Sequence, residues 1–243
     1  ETASLLVGCS SGTASSVPVS ASSAAESTVS SVEETASSAV DENEAAAAQL
    51  LNDLTGSYQE LWPVILADEY KQTWLDDCTA LVGEDNAEAA FEKLSSMVTG
   101  DVYGEDAVKA YANGGGAYFC GFTNDLATLT FDGETSTISG TDKDGNVLFS
   151  HTYHYIGMEP VRGLYEFQSD DADSGEFTYF FLAPDTSAET YHIEFRYGSD
   201  AEALSQYDTG EYAYWLASGI STDCDQTMID NCIELFCTEN LAG

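Results

Sequence analysis

The amino-acid sequence predicts a mostly β domain, in which an antiparallel barrel is flanked by helices on its N-terminal and C-terminal sides. Asp-Gly pairs stand at hairpin positions in the middle of the chain, and strand-like segments follow one another at even spacing. Helical periodicity precedes and follows these segments. The chain of 243 residues is long enough for one domain with a sizeable core.

The segment from about residue 44 to residue 97 has helical character. After an Ala-rich stretch, apolar side chains recur at helical spacing, at Leu50, Leu51, Leu54 and Tyr58. Trp62-Pro63 interrupts this run, because proline lacks the N–H that a helix interior uses. A second helix is predicted over residues 86–97, and further helices over residues 201–207 and 225–236.

Strand signals dominate the middle of the chain. Asp132-Gly133 and Asp144-Gly145 are typical of hairpin turns. Aromatic and polar residues alternate from Phe149 to Tyr155, as a half-buried strand requires. Further strands are predicted at residues 163–168, 177–182 and 190–197. About six antiparallel strands of even spacing favour a closed or nearly closed barrel.

The first part of the chain has the pattern of an exported, lipid-anchored protein. Leu5-Leu6-Val7-Gly8-Cys9 matches the end of a bacterial lipoprotein signal, in which a small residue precedes a cysteine that becomes diacylated. We therefore expect residues 1–9 to be the end of a signal peptide with Cys9 lipidated, and the protein to be extracytoplasmic and held at the cell membrane. The alternative is a chance match within a low-complexity leader.

The Ser-, Ala- and Glu-rich composition that follows predicts a disordered linker over residues 10–48, since it has too little apolar surface to bury. The folded domain is then predicted over residues 49–243. The formal net charge of −37 excludes nucleic acid as a partner and favours attraction to cations in general. Membrane contact is expected through the lipid anchor alone.

Cysteine usage leaves the thiol pairing open. Besides Cys9 the chain has five cysteines, which are Cys78, Cys120, Cys224, Cys232 and Cys237. An odd number in an exported protein implies at least one free thiol or an intermolecular bond. The absence of a Cys-x-x-Cys pair argues against a thiolate zinc knuckle or a thioredoxin-type redox site.

No sequence pattern indicates catalysis. The chain lacks a Gly-x-Ser-x-Gly elbow, a phosphate-binding glycine loop and a His-Glu-x-x-His zinc motif. Asn113-Gly114-Gly115-Gly116 is interpreted as a flexible turn, because no lysine is placed to assist phosphate binding. We therefore predict that the protein is not an enzyme and has no catalytic residues.

A diffuse set of sequence features resembles the ZinT (YodA) family of exported zinc- and cadmium-binding domains. These features are Leu54-Thr55 with Tyr58, Trp62 and Pro63, then Tyr153-His154-Tyr155-Ile156-Gly157, Gly163-Leu164-Tyr165-Glu166-Phe167, and His192-Ile193-Glu194 ahead of Gly198. The resemblance covers nearly the whole domain. It implies a lipocalin-like (calycin) barrel, divalent metal binding and assistance to metal uptake, with an ABC-type zinc importer as partner.

The resemblance also implies where the metal site lies. The family binds zinc with three histidines, and their counterparts in this chain are Ala183, His192 and Glu194, so one histidine is kept and one carboxylate substitutes. A His-x-Glu pair on a strand places both side chains on one face, about 6.5–7 Å apart. Asp185, just past Ala183, is the candidate third ligand. The predicted metal ligands are therefore His192, Glu194 and Asp185, with zinc as the expected ion.

Two other interpretations stay open at this point. The barrel would serve either as a lipocalin-like pocket for an apolar or aromatic small ligand, given the aromatic residues between Tyr118 and Tyr197, or as a structural surface module. His192 then either is a satisfied barrel histidine, hydrogen-bonded to Glu194 or to a tyrosine, or has a role in binding a small molecule. His151 and His154 stand three apart on one strand, so they face opposite sides and cannot both join a site.

Overall fold

The computed structural model describes residues 42–99 and 118–242, and within them eight antiparallel strands form a closed barrel in chain order. The strands are β1 Gly56–Glu60, β2 Thr128–Asp132, β3 Thr137–Thr141, β4 Val147–Met158, β5 Tyr165–Ser169, β6 Tyr179–Leu182, β7 Ile193–Gly198 and β8 Ala217–Ser221. Closure comes from β8, which pairs with β1 so that Glu60 lies opposite Gly219. The predicted mostly β fold with flanking helices is confirmed.

Helices precede the first strand, follow the last one, and are inserted between β1 and β2 and on either side of β7. They are α1 over residues 42–53, α2 Leu61–Ile65, α3 Lys71–Val82, α4 Glu84–Thr99, α5 Ser187–Thr190, α6 Ala201–Leu204 and α7 Gln226–Leu241. Helix α1 reaches into the segment predicted as linker, and its Ala47 is fully buried. No helix among the described residues is long and apolar enough to cross a membrane. The predicted Asn-Gly-Gly-Gly turn at residues 113–116 lies outside the described residues.

Two strands were not predicted from the sequence. Strand β1 lies inside the segment expected to be helical, where Gly56 adopts φ +141° and separates α1 from the strand. Tyr58 fits the helical spacing only by coincidence, because it lies on a strand and its buried side chain projects from that strand. Strand β8 consists mainly of small residues with low β propensity, so the pattern gave little sign of it.

Aromatic rings fill the inside of the barrel. Phe149 on β4 lies 5.7 Å from Phe180 on β6, a contact that crosses the interior because β5 separates the two strands. Phe149 also stacks on Phe177 at 4.1 Å, and Phe180 lies 5.3 Å from Tyr197 on β7. Stacked rings at these distances leave the centre of the barrel packed with side chains.

Helix α7 closes the domain against β7 and the helices α2 to α4. It begins at Asp225, whose carboxylate accepts a hydrogen bond from the Met228 N–H at 2.9 Å. Its buried face is Ile229, Cys232, Ile233, Phe236 and Cys237. The Phe236 ring lies 4.5 Å from Trp62 of α2, and α3 packs along the same helix. Phe236 also packs on the His192 ring at 5.2 Å, so α7 shields the start of β7 from solvent.

Removing one central ring tests whether the barrel is filled. We expect Phe180→Ala to lower the free energy of unfolding by about 3–5 kcal/mol, because the surrounding rings are held by their own packing and fill the resulting cavity only in part. Val147→Ala is the matched control, since Val147 is 71% exposed and its truncation costs within about 0.5 kcal/mol. Urea unfolding of both variants measures the difference. Equal losses in the two variants would contradict a packed interior.

Candidate metal centre

Every residue of β7 is buried, on both faces of the strand. The Phe195 ring contacts Phe122 at 5.3 Å and Tyr197 at 5.8 Å, so the odd-numbered residues face the aromatic interior. His192, Glu194 and Arg196 alternate with them and face outward, toward the covering helices. The sequence prediction that His192 and Glu194 share one face is consistent with this register, and the face they share is the one beneath α7.

The His192 side chain is held at both ring nitrogens. Its Nδ1 lies 2.6 Å from the Thr190 carbonyl oxygen, so Nδ1 carries a proton and donates to that oxygen. Its Nε2 lies 3.6 Å from Glu194 Oε1. The Phe236 ring covers the imidazole at 5.2 Å, and Cys232 Sγ stands 4.0 Å from Nδ1. The His192 and Glu194 side chains are only 2% and 4% exposed.

The backbone before His192 sets this orientation. Helix α5 ends at Tyr191, which adopts the left-handed conformation with φ 67°. Its start is fixed by Glu189, whose carboxylate accepts a hydrogen bond from the Thr186 N–H at 3.2 Å. The turn at Tyr191 delivers His192 directly into the register of β7. A local capping device therefore positions the imidazole.

Two buried oxygens beside His192 have no hydrogen-bond partner among the described residues. They are Glu194 Oε1 and Ser218 Oγ. Ser218 on β8 is the direct cross-strand partner of Glu194, so the two side chains share one face of the sheet. Unpartnered buried oxygens are rare in folded proteins because each costs about 1–3 kcal/mol. The two oxygens mark a buried polar place next to His192, whose Nε2 is the charged group that faces Glu194 Oε1.

The protonation of His192 is governed by its neighbours. Burial by itself lowers the pKa of the imidazole, but Cys232 and Glu194 outweigh burial and raise the pKa to about 10. The metal-free side chain is thus an imidazolium that faces the Glu194 carboxylate. A metal ion at Nε2 would have to replace that proton.

The three residues aligned with the family histidines come together in the barrel wall. The Ala183 N–H donates to the Glu194 carbonyl oxygen at 3.0 Å, directly after the Leu182–Phe195 pair of β6 and β7. Ala183 is therefore opposite Glu194 and on the same face. This corner of the site holds a methyl group and no ligand atom.

The predicted ligand Asp185 does not complete a site. Among residues 42–99 and 118–242, no three His, Cys, Asp or Glu side chains are grouped so that they could hold a metal ion, so His192, Glu194 and Asp185 do not form a three-ligand centre. His151 and His154 lie on β4, where their Nδ1 atoms are 2.6 Å from Asp171 and Asp170. Strand β4, which carries both histidines, is not a neighbour of β7 in the barrel.

Sequence reasoning missed two residues at the site. Cys232 belongs to the buried face of α7, which the spacing of Ile229, Ile233 and Phe236 identifies in the sequence. No sequence pattern indicates which strand this face of the helix covers. Ser218 reaches Glu194 only through the pairing of β7 with β8. Because β8 itself was not predicted, no sequence signal pointed to Ser218.

An open cavity of about 500 Å³ lies elsewhere on the barrel, beside the turn between β3 and β4. Its charged lining consists of Glu60, Asp125, Asp142, Lys143 and Asp144. His192 and Glu194 do not line it, and one aromatic ring, Phe122, does. The cavity is thus acidic, and it differs from the aromatic pocket that a lipocalin-like ligand site requires.

Comparison with known proteins gives likenesses of fold. No protein-family model matches the chain, and no curated protein matches it in sequence. The structure is similar to that of the Zn(II)-bound ZinT-like domain of Streptococcus pneumoniae AdcA, with a TM-score of 0.48 and 15% identity over 76% of this chain and 89% of that one. It is also similar to Zn(II)-bound AdcA from Streptococcus pneumoniae, with a TM-score of 0.44, 17% identity, and coverage of 80% of this chain and 35% of that one.

The His192–Glu194 pair gives the metal-free protein a characteristic pH dependence. The folded pKa of about 10 lies above the ordinary value of 6.5, so the pair stabilises the fold fully below about pH 6.5 and loses this effect as the pH rises through 10. We expect His192→Gln to cost about 3–5 kcal/mol near pH 6 and progressively less toward pH 10. Urea unfolding with a chelator measures this difference, and His154→Gln is the control. A cost that is independent of pH would contradict the pairing.

Proposed function

We propose that this domain binds a divalent metal ion, zinc by preference, between His192 and Glu194 beneath α7. The observation that carries the proposal is the buried Glu194 Oε1, which has no hydrogen-bond partner among the described residues and faces His192 Nε2 at 3.6 Å. The other imidazole nitrogen is tied to the Thr190 carbonyl. This is how proteins orient a zinc-binding histidine, with one nitrogen anchored and the other directed at the metal.

The spacing of the two ligand atoms suits zinc. Zinc bonds to imidazole nitrogen and to carboxylate oxygen are each about 2.0–2.1 Å long, so two ligands at a tetrahedral angle stand roughly 3.3 Å apart. A separation of 3.6 Å requires only a slightly wider angle. Glu194 and His192 therefore accept an ion between them with little movement.

The remaining coordination falls to oxygen. Ser218 Oγ lies across the strand pair from Glu194, is buried, and lacks a partner among the described residues. Water would supply the other ligands. Two strong protein ligands bind more weakly than the three or four of a structural zinc site, and weak binding suits an ion that is cargo to be passed on. The ZinT resemblance of the sequence points to the same use, with an ABC-type importer as recipient.

A structural module is the second candidate function. It is favoured by the aromatic filling of the barrel and by the absence, within the described residues, of a group of three ligands. In that case the imidazolium of His192 and the carboxylate of Glu194 form a buried ion pair. Such pairs help to specify one packing arrangement more than they stabilise it.

Zinc titration separates the two candidates. The full chain, stripped of metal with a chelator, is titrated by calorimetry beside His192→Ala and Glu194→Gln. We expect one zinc per chain in the parent protein and a loss of at least tenfold in affinity in each variant, because each removes a protein ligand. His154→Ala, which changes an exposed histidine, keeps the parent affinity. Weak binding that is equal in all four proteins would assign the signal to surface carboxylates and favour the structural module.

The empty corner at Ala183 allows a test by gain of function. We expect Ala183→Cys to raise zinc affinity by at least tenfold, because a thiolate on this face stands beside Glu194 and supplies the third protein ligand. Cysteine is chosen because the Ala183 site is 5% exposed and has room for a small side chain only. Ala47→Cys, which places a thiol at a buried position of α1, is the control. An unchanged affinity in Ala183→Cys would place the metal elsewhere.

The proposal includes an extracytoplasmic location, with Cys9 as the lipid anchor. Its support is the Leu-Leu-Val-Gly-Cys pattern of the sequence and the Ser-rich stretch that follows. Diacylation of a cysteine adds enough buried methylene groups for stable membrane attachment. In bacteria that make the exported precursor, we expect the parent protein in the membrane fraction and Cys9→Ser in the soluble fraction. Equal partitioning of the two would remove the anchor from the proposal.

A further inference from the structure

Two cysteines from opposite ends of the domain face each other in the helical layer. Cys78 on α3 and Cys237 on α7 are both fully buried, and their sulfur atoms lie 3.9 Å apart. They are 159 residues apart in the sequence. The contact lies where α3 packs along α7, so the folded domain brings the two sulfurs together at a helix–helix interface.

We propose that Cys78 and Cys237 form an intramolecular disulfide that ties α3 to α7. A disulfide has a sulfur–sulfur distance of about 2.05 Å, so the sulfurs need to approach by about 2 Å. Bond formation therefore requires rotation of the two side chains about χ1 and an adjustment of the helix packing. The proposal goes beyond metal binding, because it concerns a different pair of side chains and a covalent bond.

The reaction is a thiol–disulfide exchange with a disulfide-bearing oxidant, such as an exported thiol–disulfide oxidoreductase. One cysteine thiolate attacks the oxidant and forms a mixed disulfide, and the second cysteine then displaces the oxidant sulfur. The sulfur–sulfur bond of the oxidant is broken and the Cys78–Cys237 bond is formed. Two protein thiols are oxidised, and their two protons end on the two thiols of the reduced oxidant.

Burial determines when the bond forms. Desolvation raises the pKa of the Cys78 and Cys237 thiols, so in the folded protein both are protonated and slow to react. Cys237 stands one turn from the end of α7, which is the last helix of the domain. The exchange therefore takes place while α7 is still undocked, and the packed helices afterwards protect the bond from reductants.

The pairing also resolves the cysteine count. With Cys9 assigned to lipid and Cys78 joined to Cys237, the thiols left are Cys120, Cys224 and Cys232. Cys120 and Cys232 are buried, and Cys232 stands beside His192, whereas Cys224 is half-buried before α7. The oxidised and folded chain therefore keeps three cysteines in the thiol form.

The test uses the full chain, refolded with oxidised and reduced glutathione, then denatured and alkylated. We expect alkylation of four of the six cysteines, and digestion after glutamate to yield one linked pair of peptides containing Cys78 and Cys237. Cleavage at Glu234 separates Cys237 from Cys232, so the assignment is unambiguous. Six alkylated cysteines, or a link between any other two, would overturn the proposal.

Thermal unfolding gives a second measurement. Reduction is expected to lower the melting temperature of the oxidised parent by at least about 5 °C, because the bond closes a very long loop in the unfolded chain. Cys78→Ala and Cys237→Ala abolish this response to reductant, whereas Cys224→Ala keeps it. An equal response in all the proteins would also contradict the bond. Both measurements report on sulfur alone, so they are independent of whether zinc binds.

Discussion

The double burial of β7 is the constraint on which the candidate site depends. One face of the strand packs against the stacked rings inside the barrel, and the other is covered by α7 next to His192 and by residues 201–212 next to Arg196. Any polar side chain on the outer face must therefore find its partner within the protein. Arg196 does so through main-chain carbonyls, since its guanidinium donates to the carbonyl oxygens of Leu204, Gln206 and Tyr212. The Glu194 carboxylate faces the imidazole of His192 instead.

The same burial determines where a proton and a metal ion would compete in the proposed site. Nδ1 is committed to the Thr190 carbonyl, so the exchange would take place at Nε2. Because the pKa of His192 is raised, a zinc ion would have to displace a firmly held proton. The apparent affinity for zinc would then be lower than the ligands alone would give, and it would rise with pH. A carrier that releases its ion benefits from such competition, whereas a structural zinc site does not.

The sequence predicted the strands that carry strong local signals. The alternation in β4 and the Asp-Gly pairs before β3 and β4 have a period and a turn chemistry of their own, so the barrel was recognisable from them. The sequence did not predict β1, whose residues fit a helical spacing, or β8, whose residues are mostly small. Both segments become strands because barrel closure pairs them with each other. The pairing of His192 and Glu194 on one face followed from strand periodicity, but which face they share depends on the packing of α7. Cys232 and Ser218 reach the site only through long-range contacts.

Strand register explains how such a site can lose ligands and keep its shape. Ala183, Glu194 and Ser218 lie in one row across three neighbouring strands, held by main-chain hydrogen bonds that do not depend on the side chains. A substitution in this row changes the chemistry at one position without moving the backbone at that position. The methyl group of Ala183 therefore supplies no ligand atom, while the backbone geometry around Glu194 is fixed by the strand register. In the proposed site, metal affinity would thus depend on which side chains stand at these fixed positions.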